Sequence, residues 1–345
     1  MLGLDRRALQ VAWTLFVFAA VVALVYAVRR TLVIFALALF FAHLLAPLVE
    51  FVSQSFSARI SRTLALTIVY ILFVGVLITV MVPLGQKVAE EAAALANKIP
   101  ETIKQDPLAN VPIPSWLEPY RARISQLVRD RIDELGANVL PFVSRAGSQI
   151  LSGIGNVLSF VLIPILSFFF LKDGAAMRAA IVDNFDTEKR PVIDDIFADL
   201  HLLLAQYIRA LVLLSIAAFI FYVAFLAIAG APYPVLLAGT AASLEFIPVI
   251  GPLIGGVLIL LVAMFSGYPH LLWIFLFLVF YRIFQDYVLS PYLMSAGVEI
   301  HPLLVLFGVL AGEQLAGVPG IFFSVPVIAA LRVILLRLRR RHHEL

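Results

Sequence analysis

The residues of this chain best suited to chemistry are carboxylates embedded in apolar sequence. Between residues 211 and 331 the chain carries only five charged side chains: Glu245, Arg282, Asp286, Glu299 and Glu313. A charge at the centre of a membrane helix costs about 2.5–3.5 kcal/mol on insertion scales, so each of them needs a partner or water. A carboxylate in such a setting can contact a cation, a proton or a polar solute. These positions are therefore candidates for a transport site.

Two of the carboxylates open matching interruptions of apolar segments. Each segment has a proline, a glutamate eleven residues later, and a glycine and a proline at six and seven residues past the glutamate. The residues are Pro234, Glu245, Gly251 and Pro252 in the first segment, and Pro302, Glu313, Pro319 and Gly320 in the second. Proline removes a backbone donor and glycine permits turns, so each break frees backbone groups beside a carboxylate. Broken helices in two related segments are the usual sequence pointer to a transport site.

The polar residues of this region differ in whether an ionic or hydrogen-bonding partner lies nearby in the sequence. Arg282 and Asp286 are four residues apart, so they share one helix face and can form an ion pair that cancels most of its own cost. Glu245 has no cation nearby in sequence; it either contacts a solute or ion, caps the broken backbone, or pairs with Arg282. The predicted contact residues are Glu245 first, then Glu313, Asp286, Arg282, Gln285 and Gln314. The predicted backbone-shaping residues are Pro248, Gly251, Pro252, Pro319 and Gly320.

Composition indicates the elements that position these residues. The chain has 345 residues, of which 62% are hydrophobic and 14% charged, whereas a soluble domain is nearer half apolar and a quarter charged. Several stretches reach the roughly 20 apolar residues that a bilayer span requires. We predict an all-α polytopic membrane protein with about eight membrane segments. Six are plain spans near residues 11–29, 32–52, 63–84, 154–171, 204–229 and 270–291, and two are the interrupted segments 235–265 and 302–336.

Each interrupted segment is too long for one straight span. It either crosses once as a bent helix or enters and leaves on one side as a re-entrant hairpin. If both are re-entrant, the fifth span with the first hairpin and the next span with the second form inverted-topology repeats. If both cross, the repeats run parallel.

Four regions follow from this reading. Residues 1–84 hold the first three spans, 85–150 an amphipathic helical region outside the membrane, 151–203 the fourth span and a cytoplasmic amphipathic helix, and 204–345 the transport core with a basic tail. Within 85–150 we expect one helix near 86–99 and a second from about residue 117; together they either cover the membrane domain or serve as a lid or partner-docking cap. Asp173-Gly174 is expected to end the fourth span. The helix opened by Pro191 runs into the fifth span.

Several function classes are excluded or disfavoured. The sequence has no phosphate-binding loop, zinc-protease helix or serine-nucleophile elbow, so we predict no enzyme activity, no cofactor and no metal site. It has no cysteine, and a net charge of +3 is too small to suggest nucleic acid. The arginine cluster after residue 331 reads as a cytoplasmic anchor on anionic lipid. We therefore expect a bacterial inner-membrane protein with both termini in the cytoplasm.

The chain resembles the autoinducer-2 exporter family of bacterial membrane proteins, also met as PerM-like permeases. The resemblance covers most of the chain and is most specific in the string from Glu245 to Pro252, Glu-Phe-Ile-Pro-Val-Ile-Gly-Pro. The other matching pieces are 162–164, 168–174, 285–287 with Pro291, 301–303, and 317–320 with Pro326. Val249 departs from the pattern, because relatives often carry Tyr there. The resemblance implies eight membrane segments, export of small solutes, and a homo-oligomer for which a pentamer is the suggested size.

We therefore predict a secondary transporter that exports a small polar solute, such as an autoinducer-2-like signal. Its site would lie between the two broken segments, near Glu245 and Glu313. One alternative is a sodium/proton antiporter of the same family, in which Glu245 or Asp286 titrates. A second is a membrane scaffold that recruits a partner through residues 85–150, and a third is a passive channel. The solute, the coupling ion and the direction of transport do not follow from the residues.

Overall fold

The structure, a computed structural model, describes residues 6–55, 61–104, 118–120, 123, 126, 157–248, 250–293 and 300–344. The regular elements in these residues are helices. They are α1 Arg6–Ala27, α2 Arg29–Ser55, α3 Arg62–Lys104, α4 Val157–Asp183, α5 Arg190–Ile228, α6 Pro234–Leu244, α7 Ile250–Phe265, α8 Leu271–Phe284, α9 Pro302–Ala316 and α10 Val318–Glu344. A π-helical turn, Gln285–Leu289, and one α-helical turn, Ser290–Leu293, continue α8, and an isolated 3-10 turn covers Glu118–Tyr120. The predicted all-α fold is confirmed.

Six stretches of these helices are long and apolar enough to cross a bilayer. They are Gln10–Ala27, Arg29–Gln54, Arg62–Asn97, Arg190–Ile228, Leu271–Leu293 and Val318–Arg339. The helices α6, α7 and α9 are apolar but shorter. The protein is therefore a multi-pass membrane protein, and its two interrupted segments each consist of two helices, as the sequence indicates.

Two helices continue beyond the ends that the sequence predicts. Asp173-Gly174 does not end its helix, because α4 runs on to Asp183. Its extension contacts α5 through Arg178, which pairs with Asp194 at 2.7 Å, and one glycine inside a helix carries only a modest cost.

The helix expected near 86–99 is likewise not a separate element. It is the second half of the 43-residue helix α3, whose extension buries Glu91 and Leu95. Of the second amphipathic helix expected from about residue 117, the structure describes only residues 118–120, 123 and 126. The predicted run from Pro191 into the fifth span is confirmed, since α5 is one helix from Arg190 to Ile228.

Helices α6 and α7 fold back on each other, and residues 234–265 are called hairpin 1 from here on. A Cβ built on Gly255 would lie 3.1 Å from the Cα of Ala241, so the two helices touch close to the turn. The open end is closed by Tyr268, whose hydroxyl donates to the carbonyl of Ala229 at 2.6 Å. Because the chain enters and leaves hairpin 1 at one place, this segment is a hairpin and not a single bent crossing.

Helices α9 and α10 form the corresponding hairpin 2, residues 302–344. Gly312 and Gly320 lie backbone to backbone, so that a Cβ on either would overlap the other's carbonyl group. Four residues further along each arm, a Cβ on Gly308 would lie 3.4 Å from the Cβ of Ser324. The two arms are therefore antiparallel and joined through Gly317.

The two hairpins open at opposite ends of α5. Hairpin 1 opens beside Ala229, just past the last residue of α5. The C-terminal arm of hairpin 2 reaches the other end, where Arg337 pairs with Asp195 and Asp199 in the first turns of α5. A helix of 39 residues is about 58 Å long, so the two openings are far apart. This arrangement is the one expected of inverted-topology repeats.

Candidate functional site

A cavity of about 320 Å³ lies where the two hairpins meet α5 and α8. Its lining residues are Leu203, Gln206, Tyr207, Leu211, Leu214, Glu245, Ile247, Pro248, Pro252, Arg282, Gln285, Asp286, Ser290, Ile300, Val305, Val325 and Ala329. Both hairpins contribute, and the hairpins also touch next to it, where the rings of Phe246 and Phe322 lie 5.5 Å apart. A mostly apolar cavity with a few convergent polar groups is the usual form of a small-molecule site.

Glu245 is the buried acid of this cavity. It follows the last residue of α6, and it is 6% exposed. Its Oε2 accepts a hydrogen bond of 2.7 Å from Nε2 of Gln285, which is 3% exposed. The other carboxylate oxygen of Glu245, Oε1, and the amide oxygen of Gln285, Oε1, are both buried without a hydrogen-bond partner among the described residues. Since buried acceptors are costly to leave unpaired, the pair is suited to receive donors or a cation.

Arg282 and Asp286 bring opposite charges to the wall of the same cavity. Nε of Arg282 lies 2.8 Å from Oδ2 of Asp286, and both side chains are a little over 40% exposed. The expected ion pair therefore forms, and Glu245 is held by Gln285 instead of Arg282. Because the ion pair is only partly buried, its members can exchange partners with a polar solute at lower cost than a fully buried pair could.

The turn of hairpin 1 is shaped by the residues that the sequence singles out. A Cβ on Gly251 would overlap the carbonyl oxygen of Leu244, the last residue of α6, so only glycine fits where α7 begins. Pro248 and Pro252 line the cavity, and neither can donate a backbone hydrogen bond. The turn thus places Glu245 at the cavity wall, beside two prolines that have no backbone N–H.

The carbonyl end of α6 is held from outside the hairpin. The last turn of a helix leaves carbonyls without an intrahelical partner. Ser215 of α5 donates its hydroxyl to the carbonyl of Ala242 at 2.8 Å, three residues before Glu245.

The π-helical turn at Gln285–Leu289 is a feature that the sequence reading missed. In it the N–H of Ser290 donates to the carbonyl of Gln285, five residues back. The available signal was Pro291, because a proline lacks an N–H and its ring crowds the carbonyl four residues earlier. A wider turn relieves that clash, and such turns are frequent at functional sites. Here it falls on Gln285 and Asp286, two of the cavity residues.

Glu313 and Gln314 are not part of this cavity. Both side chains are exposed on α9, and neither lines the cavity. Their neighbours Pro319 and Gly320 form the start of α10, where Gly320 packs against Gly312. The structure thus brings together Glu245, Arg282, Gln285 and Asp286 and leaves the second glutamate apart. Within the described residues no group of three or more His, Cys, Asp or Glu side chains could hold a metal ion.

The profile of the AI-2E family transporters matches residues 15–340. The chain belongs to the AI-2E transporter family. Its relatives include two Bacillus subtilis (strain 168) proteins named as candidate transport proteins. YrrI is 27% identical over 89% of this chain and 87% of its own length, and YueF is 25% identical over 91% and 88%.

A third relative comes from a distant bacterium. MT0215 of Mycobacterium tuberculosis (strain CDC 1551 / Oshkosh), also named as a candidate transport protein, is 27% identical over 94% of this chain and 89% of its own length. These three relatives each match about nine tenths of this AI-2E family chain. Transport is therefore the class of activity for which the cavity has to be interpreted.

Proposed function

We propose that this AI-2E family member is a secondary transporter that exports a small polar solute, autoinducer-2 or a chemically similar metabolite. The solute binds in the cavity between the two hairpins, and Glu245 is its main polar contact. Gln285, Arg282 and Asp286 complete the polar wall. The protein acts in the inner membrane with both termini in the cytoplasm, as a homo-oligomer.

The observation that carries this proposal is the buried pair of Glu245 and Gln285. Each side chain has one oxygen without a partner among the described residues, and both line the cavity. A membrane protein that moves nothing gains little from carrying such a costly pair. A solute with hydroxyl or amino groups supplies the missing donors, and its release leaves them unpaired again.

The size and walls of the cavity support a small metabolite. Its volume of about 320 Å³ equals that of about ten water molecules in the liquid. The walls supply apolar surface from both hairpins and the partly exposed ion pair of Arg282 and Asp286. This mixture suits a compact solute with several polar groups.

Efflux from proteoliposomes tests the proposal directly. Vesicles loaded with autoinducer-2 are compared for the unmodified protein, Glu245→Gln and Glu313→Gln. A hydrogen bond to a charged group contributes about 1.5–3 kcal/mol, so we expect Glu245→Gln to lower the initial rate about tenfold or more. Glu313→Gln is the matched control, because it has the same sequence spacing but an exposed side chain.

The outcomes of this assay distinguish the proposed site from the alternatives. Equal rates for all three proteins would remove Glu245 from the site. If the unmodified protein moves no autoinducer-2, metabolite profiling of a deletion strain, inside and outside the cell, identifies another solute for the same comparison. A strain phenotype that survives Glu245→Ala but is lost when residues 105–150 are deleted would favour the scaffold alternative.

Sodium/proton exchange is a second candidate for the same site. The observation that favours it is the carboxylate of Glu245, which can hold either a proton or a cation with its free oxygen. Vesicles containing a pH-sensitive dye should then report a proton flux when sodium is added outside. That flux should disappear in Glu245→Gln and persist in Glu313→Gln; an unchanged flux in Glu245→Gln excludes the exchange mechanism at this residue.

A further inference from the structure

A second buried carboxylate lies far from the cavity, at the open end of hairpin 1. Glu91 belongs to the extension of α3 and is 8% exposed. Its Oε2 accepts a hydrogen bond of 2.7 Å from the backbone N–H of Leu236, 145 residues later in the chain. Leu236 is the third residue of α6, so Glu91 binds one of the N–H groups that have no partner within that helix.

The start of α6 needs such an external partner. Pro234, its first residue, has no N–H, and Tyr233 before it makes no side-chain capping bond. Tyr233 also has a positive φ of 53°, a left-handed conformation that is rare for a bulky residue and persists only where the surroundings impose it. A negative charge at a helix N-terminus is favourable through the helix dipole. Glu91 therefore supplies from another helix what the local sequence lacks.

α6 connects this contact to the transport site. It is a helix of 11 residues, about 16 Å long, with Glu91 at its N-terminal end and Glu245 directly after its C-terminal end. Midway, a Cβ on Gly239 would lie 3.9 Å from Val88 of α3 and 3.9 Å from Phe219 of α5. The helix is thus enclosed between α3 and α5, so a shift at its first turn would move its last turn with it.

We propose that Glu91 is a positioning residue for transport: it fixes the start of α6 and thereby the place of Glu245 in the cavity. The inference rests on the proposed function of that cavity. It also assigns the extension of α3, residues 85–104, to the transport core and not to a separate cap. Glu91 touches no solute, and its effect passes through the backbone of α6.

The first test follows the amide of Leu236 and does not depend on transport. Hydrogen–deuterium exchange of the first turn of α6 is measured in the full-length protein for Glu91→Ala, Glu91→Gln and the unmodified chain. Loss of the acceptor should accelerate exchange at Leu236 by about tenfold in Glu91→Ala. Glu91→Gln keeps an acceptor oxygen without the charge, so about threefold is expected.

The control is the neighbouring Glu90. Its side chain is exposed and pairs with Lys87 on the same helix at 3.4 Å, so Glu90→Gln should leave the exchange of Leu236 unchanged. Unaltered exchange at Leu236 in both Glu91 variants would overturn the proposal. If Glu91→Ala does not fold, Glu91→Gln alone decides it, and exchange equal to that of the unmodified protein overturns it.

The second test separates positioning from a loss of folded protein. In the efflux assay with autoinducer-2, a displaced Glu245 should raise KM several-fold, while the maximal rate per folded molecule changes less. The order of KM should be Glu91→Ala, then Glu91→Gln, then Glu90→Gln and the unmodified chain together. A fall in maximal rate with constant KM in the Glu91 variants contradicts positioning.

The two proposals can fail separately. If the unmodified protein moves no autoinducer-2, the transport proposal loses its solute, and Leu236 exchange still reports on Glu91. The link from Glu91 to the cavity is then measured as the rate of thiol modification of Ile247→Cys, since Ile247 lines the cavity and the chain has no cysteine of its own. Glu91→Ala should change that rate and Glu90→Gln should not; equal rates overturn the link.

Discussion

Hairpin 1 and hairpin 2 share one sequence pattern but use it differently. In hairpin 1 the glutamate comes at the end of its helix, is buried, and is bonded to Gln285. In hairpin 2 the glutamate lies inside α9 and is exposed, and the helix continues to Ala316. One spacing has produced a polar site in one hairpin and a packed turn in the other.

The difference comes from how each turn is closed. The turn of hairpin 1 spans several residues between Leu244 and Ile250 and includes Pro248, so its backbone stays open beside the cavity. Hairpin 2 turns on Gly317 alone, which has a φ of 64°, and its arms are in backbone contact through Gly312 and Gly320. A tight turn leaves no room for a solute, so only the wide turn can carry a site.

The largest difference between the hairpins is expected in the efflux rate when the glutamine beside each glutamate is replaced, Gln285 for hairpin 1 and Gln314 for hairpin 2. Gln285→Leu removes the donor to Glu245 and leaves a buried carboxylate unpaired, which in buried pairs costs about 3–5 kcal/mol. We expect efflux of autoinducer-2 from proteoliposomes to fall by about two orders of magnitude or the protein to lose stability. Gln314→Leu, on the exposed face of α9, should retain its rate within about twofold. Similar losses in both variants would contradict the assignment of the site to hairpin 1.

The next largest effect is expected from a substitution in the packed turn of hairpin 2. It should lower the stability of the protein more than its transport rate. A Cβ on Gly320 overlaps the carbonyl of Gly312, and backbone cannot move aside as a side chain does. Overpacking of this kind costs about 1–3 kcal/mol, so Gly320→Ala should lower the Tm measured in detergent. Gly75→Ala is the control, since a Cβ there meets nothing within 4 Å. A Tm for Gly320→Ala equal to that of Gly75→Ala would show that the arms are not in contact.

The sequence predicted the helices of both hairpins for a physical reason. Pro234 and Pro302 each begin a helix, and proline suits the first helical position because its missing N–H is not needed there. Apolar runs of membrane length likewise located five of the six plain spans, all but the one near residues 154–171. These features depend on residues close to each other in the chain.

What the sequence left open depends on contacts between distant residues. A bent crossing and a hairpin have the same composition, and the choice rests on bonds such as that from Tyr268 to Ala229. The burial of Glu245 and the exposure of Glu313 are set by the helices packed around each turn, which the shared spacing does not encode. Glu91 gave no signal at all, because a glutamate in a charged stretch is ordinarily a solvated one.

A smaller effect is expected from the hydroxyl that holds the end of α6. Ser215→Ala removes the bond to the carbonyl of Ala242, and a single neutral hydrogen bond contributes about 1 kcal/mol. The KM for autoinducer-2 should rise about twofold to fivefold, because Glu245 follows three residues later. Ser243→Ala is a matched control, since its hydroxyl bonds to its own helix, at the carbonyl of Gly239. An equal KM in the two serine variants would mean that α5 does not hold the tip of hairpin 1.

The smallest effect should come from the ion pairs that join hairpin 2 to α5, because their side chains are partly exposed. Arg337 donates to Asp199 at 2.7 Å and to Asp195 at 3.0 Å, with its side chain about one third exposed. Exposed ion pairs contribute about 0.2–1 kcal/mol, and at 1 M salt the screening length falls to about 3 Å. Arg337→Ala should therefore lower the free energy of unfolding only slightly at low salt, and less at 1 M. The contact from Glu91 to hairpin 1 is buried, so Glu91→Ala should change the exchange of Leu236 equally at both salt concentrations. A salt dependence in Glu91→Ala as large as that in Arg337→Ala would show that the two hairpins are held by forces of the same kind.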